Sequence, residues 1–185
     1  MLRLDPRASL LVVVDVQEKL APAMPPAALE QLHRAARILL EAARLTGARI
    51  AATEQYPAGL GPTVAPLRDA LASSGVEPIA KVSFSALGEP AFVEALFARR
   101  PRHVVVVGME AHICVAQTVR DLCNMGFDVH VPLDGVASRR DDHKSAGLGL
   151  SERAGAAIPT AESVAFDWLG EARSDAWKAV SKLVR

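Results

Sequence analysis

A chain of 185 residues, half of them hydrophobic, is long enough to bury a substantial core, so we expect one domain spanning residues 1–185. Its 21 basic residues balance 21 acidic residues, which argues against nucleic acid or a membrane surface as a partner. Two cysteines are too few for a disulfide framework, and the apolar run near the N-terminus is too short for a signal peptide or a membrane span, so we expect a cytoplasmic protein.

Short apolar runs alternate with amphipathic stretches along the chain. The runs predict six strands, at residues 9–14, 48–53, 77–81, 103–107, 127–133 and 156–160. Helical spacing predicts helices at residues 27–46, 63–73, 90–99, 114–125 and 141–154, and a last helix in the tail, 174–185. Near-continuous valine runs indicate strands covered on both faces. We therefore predict a single-domain α/β fold, a Rossmann-like three-layer sandwich with a six-stranded, mainly parallel sheet and helices on both faces.

Three reactive side chains lie at or just beyond the carboxyl ends of predicted strands, where parallel sheets place their sites. Asp15 follows the first strand, Lys81 ends the third, and Cys114 opens the helix after the fourth. A thiol at a helix start lies near the positive end of the helix dipole. That position lowers a cysteine pKa and supplies backbone N–H donors for an oxyanion.

Each of these residues also has an ordinary structural explanation. Cys114 can be a small buried hydrophobe, Asp15 a helix or turn cap, and Lys81 a lysine that reaches to water. Together, an acid, a cation and a thiol form a set typical of amidases, in which the acid takes the thiol proton and the cation stabilises the thiolate and the carboxylate. We interpret Cys123, nine positions after Cys114, as an inert residue.

The chain offers little sign of a cofactor site. The first strand runs into Asp15-Val16-Gln17-Glu18 without a glycine fingerprint, and a phosphate-binding loop is missing. The five histidines form neither an H-x-H nor an H-E-x-x-H pattern, and Asp141-Asp142-His143 reads as the start of a helix. We expect no cofactor.

Three motifs resemble the isochorismatase-like cysteine hydrolase family, which includes nicotinamidases, N-carbamoylsarcosine amidohydrolases and isochorismatases. They are LVVVDVQ at residues 11–17, KVSFS at residues 81–85, and GMEAHICV at residues 108–115 with QT at 117–118. The resemblance covers residues 8–168. It implies Asp15 as general base, Lys81 as stabilising cation and Cys114 as nucleophile. It also implies a cis peptide bond between Met109 and Glu110, with the backbone N–H groups of Glu110 and Cys114 as the oxyanion hole.

One departure from the family pattern bears on metal binding. Nicotinamidases carry an Asp-x-His metal motif after the second strand, where this chain has Gln55 and Pro57. Glutamine is a poor metal ligand and proline is none. The chain is therefore similar to the isochorismatase-domain branch that lacks this motif, and we expect a metal-free catalytic site and a purified protein without stoichiometric zinc or iron.

The resemblance implies a hydrolase, and we predict cleavage of a small amide or related C–N bond through a covalent acyl-enzyme on Cys114. Two alternatives stay open: an isochorismatase-type vinyl-ether hydrolase, in which Asp15 supplies a proton, and a non-catalytic member that serves in assembly or binding. The expected partners are a small-molecule substrate and further copies of the chain, at least as a dimer. The predicted substrate contacts are Leu20, Tyr56, Phe84, His112 and Ile113.

Overall fold

In a computed structural model, which describes residues 3–185, six strands form one sheet with helices on both faces. The strands are β1 (Ser9–Val14), β2 (Arg49–Gln55), β3 (Ile79–Lys81), β4 (His103–Met109), β5 (Asp128–His130) and β6 (Val136–Ala137). The helices are α1 (Pro26–Thr46), α2 (Pro57–Leu60), α3 (Ala65–Ser73), α4 (Pro90–Arg99), α5 (Ala116–Asn124), α6 (Asp141–Arg153), α7 (Ala161–Leu169) and α8 (Asp175–Val180). A π-helical turn, Ala111–Val115, precedes α5.

The sheet is parallel throughout, with the strand order β3-β2-β1-β4-β5 and with β6 paired to the end of β4. The chain builds outward from β1 through β2 and β3, then crosses back to place β4 on the other side of β1. The point where the direction reverses lies between β1 and β4, and this is where open α/β sheets bind ligands. The predicted α/β class is confirmed.

Strand β1 divides the core between the two faces of the sheet. Leu11 and Val13 pack in the cluster that contains α1 and α7, whereas Leu10, Val12 and Val14 pack in the cluster that contains α4 and α5. The alternation follows from the two-residue period of a strand. Because every β1 residue is buried, the strand has no solvent face, as its valine run indicated.

The prediction of the sixth strand at residues 156–160 is wrong. That segment runs beside β5, with hydrogen bonds from Ala157 N–H to the Val129 carbonyl (2.9 Å) and from Val131 N–H to the Ala157 carbonyl (2.8 Å), but it forms only an isolated bridge. Pro159 has no N–H to donate, so no second bridge forms, although its carbonyl still accepts from Leu133 N–H at 2.9 Å. The sixth strand is β6, whose two residues are too few to stand out in the sequence.

The last two helices pack against α1 on one face of the sheet. Helix α7 was not predicted, although the Thr160 side chain caps it by accepting from Ser163 N–H at 3.1 Å. The tail helix was predicted and is shorter than expected: Ser174 caps it, and Val180 is buried in the core. None of the helices among residues 3–185 is both long and apolar enough to cross a membrane.

Gly108 brings the ends of β1 and β4 together. It lies in register with Val14 and has a φ of +131°, and a Cβ atom there would overlap the Val14 carbonyl. Only glycine adopts this backbone conformation without strain and allows so close an approach. The residues that follow the two strands, Asp15 on one side and the π-helical turn on the other, are thereby held close to each other.

Candidate active site

Asp15 is fixed by the strand ends around it. It has a φ of +53°, a left-handed conformation that aspartate tolerates better than most residues, and its N–H donates to the Thr53 carbonyl at 3.1 Å. The Thr53 hydroxyl donates to Asp15 Oδ1 at 2.7 Å. The side chain is fully buried. The turn after β1 therefore directs a carboxylate into the protein rather than into solvent.

Lys81 is the partner of this buried carboxylate. Its Nζ lies 2.7 Å from Asp15 Oδ2, and both side chains have no exposed surface. The ammonium also donates to Gln55 Oε1 at 2.6 Å and to the carbonyls of Ser83 (3.2 Å) and Phe84 (3.1 Å). Four oxygens around one nitrogen fit a charged ammonium, which has donors but no acceptor. The contact between Lys81 and Asp15 is an ion pair that lacks the alignment of a hydrogen bond. Within residues 3–185, Asp15 Oδ2 has no other hydrogen-bond partner. This oxygen therefore keeps lone pairs that can accept a proton.

Cys114 lies in the π-helical turn, only 6% exposed, with its Sγ 4.0 Å from Gln55 Oε1. The pKa of the thiol is raised to about 12, first by burial and next by the charge of Asp15, while the charge of Lys81 opposes the rise. The expectation that the helix start lowers the pKa of Cys114 is therefore wrong, because desolvation and the nearby carboxylate outweigh the dipole. The resting residue is a thiol beside a carboxylate.

Two glutamines that the sequence analysis did not assign to the site organise it. Gln17 is fully buried; its Oε1 accepts from Gln55 N–H at 2.8 Å, and its Nε2 donates to the carbonyls of Gln55 (3.0 Å) and Gly61 (2.7 Å). Gln55 in turn donates through Nε2 to the Val82 carbonyl at 2.8 Å, which leaves Oε1 for Lys81. The sequence feature that could have identified Gln17 is its place inside the first motif, shortly after a buried strand. An amide buried there must find hydrogen-bond partners in neighbouring loops.

These contacts also bear on metal binding at the position of the nicotinamidase motif. Gln55 Oε1, the oxygen that would face an ion, already accepts from a buried ammonium, and Pro57 begins helix α2. A cation bound to that oxygen would lie against the charge of Lys81. The residues present do not fit the metal of that motif.

Glu110 joins the end of β4 to the segment after β6. The peptide bond between Met109 and Glu110 is cis. The buried Glu110 carboxylate accepts from Arg139 N–H (3.0 Å), Nε (3.1 Å) and Nη2 (2.9 Å). Burial alone would raise the pKa of Glu110, but the hydrogen bonds and charge of Arg139 lower it below its ordinary value. The carboxylate is therefore committed to a structural contact.

Not all of the predicted substrate contacts lie together. Tyr56 and Phe84 adjoin Lys81, since Tyr56 N–H donates to the Lys81 carbonyl at 2.7 Å and the Phe84 carbonyl accepts from Lys81 Nζ, and both side chains are more than half exposed. Ile113 precedes Cys114 and is partly buried. His112 instead contacts Ser138 (3.0 Å) and His143, in a cleft lined by α5 and α6, and Leu20 packs against the core on the α1 face.

The chain is similar to proteins of one family. A profile of the isochorismatase domain matches residues 9–163. Isochorismatase domain-containing protein 2 of Bos taurus is 35% identical over 99% of this chain and 86% of its own length. The solved MAR1 ribonuclease of Caenorhabditis elegans is 35% identical with a TM-score of 0.89, over 99% of this chain and 92% of that one. The YcaC gene product of Escherichia coli, described as an octameric hydrolase of unknown specificity, shares the fold at 21% identity and a TM-score of 0.91, over 99% and 91% of the two chains. With its three motifs and its parallel sheet, this chain belongs to the isochorismatase-like cysteine hydrolase family.

Proposed function

We propose that this protein hydrolyses a small amide or a related C–N bond through an acyl-enzyme on Cys114. The observation that carries the proposal is the buried ion pair of Asp15 and Lys81, 2.7 Å apart, beside a buried thiol. Burying two charges costs several kcal/mol per ion before their attraction offsets it. An ion pair that lies where the strand order reverses, next to a nucleophile, is better explained by a catalytic role than by a stabilising one.

The proposed steps use Asp15, Lys81 and Cys114 in the roles that the resemblance to the family implies. Asp15 takes the proton of Cys114 as the sulfur attacks the substrate carbonyl carbon, and the Lys81 ammonium stabilises the thiolate as it forms. The backbone N–H groups of Glu110 and Cys114 hold the oxyanion of the tetrahedral intermediate. Collapse breaks the C–N bond, and the leaving amine takes the proton from Asp15. Water, deprotonated by Asp15, then attacks the thioester, and the thiol regains its proton as the acid leaves.

The high pKa of the resting thiol suits this order of events. A thiolate formed in advance would carry a charge in a buried site that already holds Asp15. Proton transfer to Asp15 during attack keeps the net charge of the site constant, because the negative charge moves from Asp15 to the oxyanion of the substrate. The carboxylate thus accepts the thiol proton only as the sulfur attacks the substrate, and Lys81 holds the carboxylate in place.

The ribonuclease name of the solved relative from Caenorhabditis elegans raises RNA cleavage as another activity. Exposed apolar side chains lie next to Lys81 here: Tyr56 is 57% exposed, Val82 77% and Phe84 53%. Arg139, the arginine nearest to Glu110, is already paired with it. Such a surface favours a small, partly apolar substrate over a polyanion, which needs free basic groups.

A panel of small amides assayed for ammonia release tests the proposed function. We expect turnover of at least one primary amide or carbamoyl compound by the purified protein. A parallel assay with single-stranded RNA and one with a vinyl ether use the same preparation. Cleavage of RNA or of the ether, with every amide left intact, would overturn the amidase proposal.

Alkylation of the thiol tests the role of Asp15 without any knowledge of the substrate. Because burial and the Asp15 charge raise the pKa of Cys114, iodoacetamide should label it slowly at neutral pH. Asp15→Asn removes the negative charge that raises this pKa and keeps the positive charge of Lys81 that lowers it. Labelling of Cys114 should therefore become faster, while amide turnover falls. Peptide mass spectrometry distinguishes Cys114 from Cys123, which is the internal control. Slower labelling in Asp15→Asn would contradict the electrostatic account.

Chelation should leave amide turnover unchanged, because Gln55 Oε1 is bonded to Lys81 and Pro57 offers no ligand. The measurement compares initial rates before and after dialysis against EDTA, followed by addition of Zn²⁺, Mn²⁺ or Fe²⁺. A rate that falls on chelation and returns with one of these ions would show that the catalytic site depends on metal.

We also propose a homo-oligomer, at least a dimer. The exposed apolar side chains of Tyr56, Val82 and Phe84 lie on neighbouring loops beside the site, and such patches mark contact surfaces. The octameric state described for the YcaC gene product of Escherichia coli agrees with this expectation. Sedimentation at micromolar concentration is the measurement, and Phe84→Ser should shift the equilibrium towards the monomer. A fully active monomer of the 19.6 kDa chain would contradict the proposal.

A further inference from the structure

A second cluster of polar side chains lies where β4 and β5 begin, at the edge of the sheet opposite Asp15, Lys81 and Cys114. His103 is the first residue of β4 and lies in register with Asp128, the first residue of β5. Side chains two positions apart in a strand share a face, so Asp128 and His130 project from the same side of the sheet. One potential ligand atom of each side chain, His103, Asp128 and His130, lies within 4.8 Å of the other two.

The Asp128 carboxylate lies between the two imidazoles. Its Oδ2 is 3.0 Å from His103 Nδ1, and its Oδ1 is 3.2 Å from His130 Nε2. Both histidines are buried, whereas the Asp128 side chain is 42% exposed. An ion in solution would therefore reach the cluster from the side on which Asp128 lies.

His130 is the member of this cluster that ordinary packing does not explain. It has no exposed surface, and neither of its ring nitrogens makes an aligned hydrogen bond with any of residues 3–185. An unsatisfied buried polar group costs about 1–3 kcal/mol, so such a group calls for a reason. Burial lowers the pKa of His130, although Asp128 opposes this, and the lowered pKa favours the neutral ring. Neutral imidazole is the form that binds metal ions.

Contrary to the expectation of a protein without zinc or iron, we propose that His103, Asp128 and His130 form a binding site for one divalent transition-metal ion such as Zn²⁺. Two imidazole nitrogens and a carboxylate oxygen are ligands that Zn²⁺ takes at about 2.0–2.2 Å. In tetrahedral geometry such ligand atoms lie about 3.3 Å apart, which follows from those bond lengths. The separations of 3.0 and 3.2 Å involve different oxygens of Asp128, but one ligand atom from each of the three side chains lies within 4.8 Å of the other two, so side-chain movements can bring one atom of each onto a single ion. Water completes the coordination on the exposed side of Asp128.

The site would join the beginnings of β4 and β5 and is separate from the proposed chemistry at Cys114. The sequence carries its signature in Asp128-Val129-His130, an acid and a histidine at strand spacing. The third ligand, His103, is 25 positions away from Asp128 and is brought there only by the pairing of the two strands. Ion binding is therefore expected to stabilise the fold without changing amide turnover.

Titration with Co²⁺ and Zn²⁺ tests the proposal. The titration uses the Cys114→Ser, Cys123→Ser variant, because thiols also bind these ions. The variant is first stripped of metal with EDTA and desalted. We expect the protein to bind one equivalent of Co²⁺ and to show the visible absorption bands of a Co²⁺ ion with few ligands. Zn²⁺ should displace the Co²⁺, and the midpoint of thermal unfolding should rise in the presence of Zn²⁺. Binding should weaken at pH 5, since the histidines must be deprotonated to act as ligands.

Substitutions identify the ligands. His130→Gln and Asp128→Asn should each weaken Co²⁺ binding by at least about tenfold. Asp128 is half-exposed, so Asp128→Asn keeps the test decisive if His130→Gln fails to fold. His33→Gln is the matched control, because His33 also has a buried nitrogen without a hydrogen-bond partner but lies outside the cluster, on α1. Absence of stoichiometric binding, or equal binding by wild type and both ligand variants, would overturn the proposal and leave a metal-free histidine–aspartate network.

Discussion

Cys114→Ala is expected to lower kcat for the best amide by at least about 10³-fold while the protein stays folded. The substitution removes the nucleophile and deletes one small buried side chain, and it leaves the Asp15–Lys81 ion pair, 2.7 Å long, in place. The measurement is ammonia release at saturating substrate, with the urea midpoint of the same preparation as the check on folding. Cys123→Ala, which removes the only other thiol of the chain, is the control and should keep wild-type turnover.

The same experiment separates the remaining activities. An ether hydrolase that uses Asp15 as a proton donor would keep its rate in Cys114→Ala, and a non-catalytic protein would show no rate to lose. Because the three side chains act as a unit, Cys114→Ala combined with Asp15→Asn should be little slower than either substitution alone. If the double substitution lowered kcat by the product of the two single effects, the side chains would not act in the same catalytic step.

Asp15→Asn and Lys81→Ala each leave one buried charge without its partner, so both should differ from Cys114→Ala in their effect on stability. Lys81→Ala illustrates the cost. It leaves the Asp15 carboxylate buried without its partner, and loss of one member of a buried pair costs about 3–5 kcal/mol. Asp15→Asn together with Lys81→Met replaces the pair by neutral side chains and should recover most of that loss without recovering turnover. The burial of both charges, rather than their positions in the sequence, is the reason for this expectation.

The sequence was sufficient to predict five of the six strands and the positions of three reactive residues, because both follow from local patterns. The valine runs of β1 and β4 indicated buried parallel strands, and strand ends indicated where Asp15, Lys81 and Cys114 would meet. Strand β6 and the failed strand at residues 156–160 were beyond reach, since pairing partners are set by distant segments. The pKa of Cys114 was misjudged for a similar reason: the dipole is local, whereas burial and the Asp15 charge arise only from the complete fold.

The site glutamines show the same limit. Gln17 and Gln55 are adjacent only because β1 and β2 pair, and their amides then lock the loops after both strands. The sequence showed Gln55 as an absent metal ligand. The structure shows it as the acceptor of the Lys81 ammonium and the neighbour of the Cys114 thiol. The difference lies in the hydrogen bonds, which only the three-dimensional arrangement determines.

Two glycines of helix α6 should respond in opposite directions to replacement by alanine. A Cβ atom at Gly147 would lie 2.5 Å from the Ala111 carbonyl oxygen and 2.6 Å from the His112 nitrogen, in the turn that carries Cys114. At Gly149 the nearest atom is the end of the flexible Arg153 side chain, at 3.4 Å. Gly149→Ala should therefore stabilise the helix by about 0.5–1 kcal/mol, the usual gain for alanine over glycine.

Gly147→Ala has the same helical gain but must displace backbone, and overpacking of this kind costs about 1–3 kcal/mol. The displaced backbone belongs to the π-helical turn, so Cys114 moves relative to Asp15 and Lys81, and a shift of about 1 Å at a reacting group can lower a rate about 10²-fold. Urea denaturation and amide kcat, measured on both variants, are the test. A Gly147→Ala protein as stable and as active as Gly149→Ala would show that α6 does not position the nucleophile.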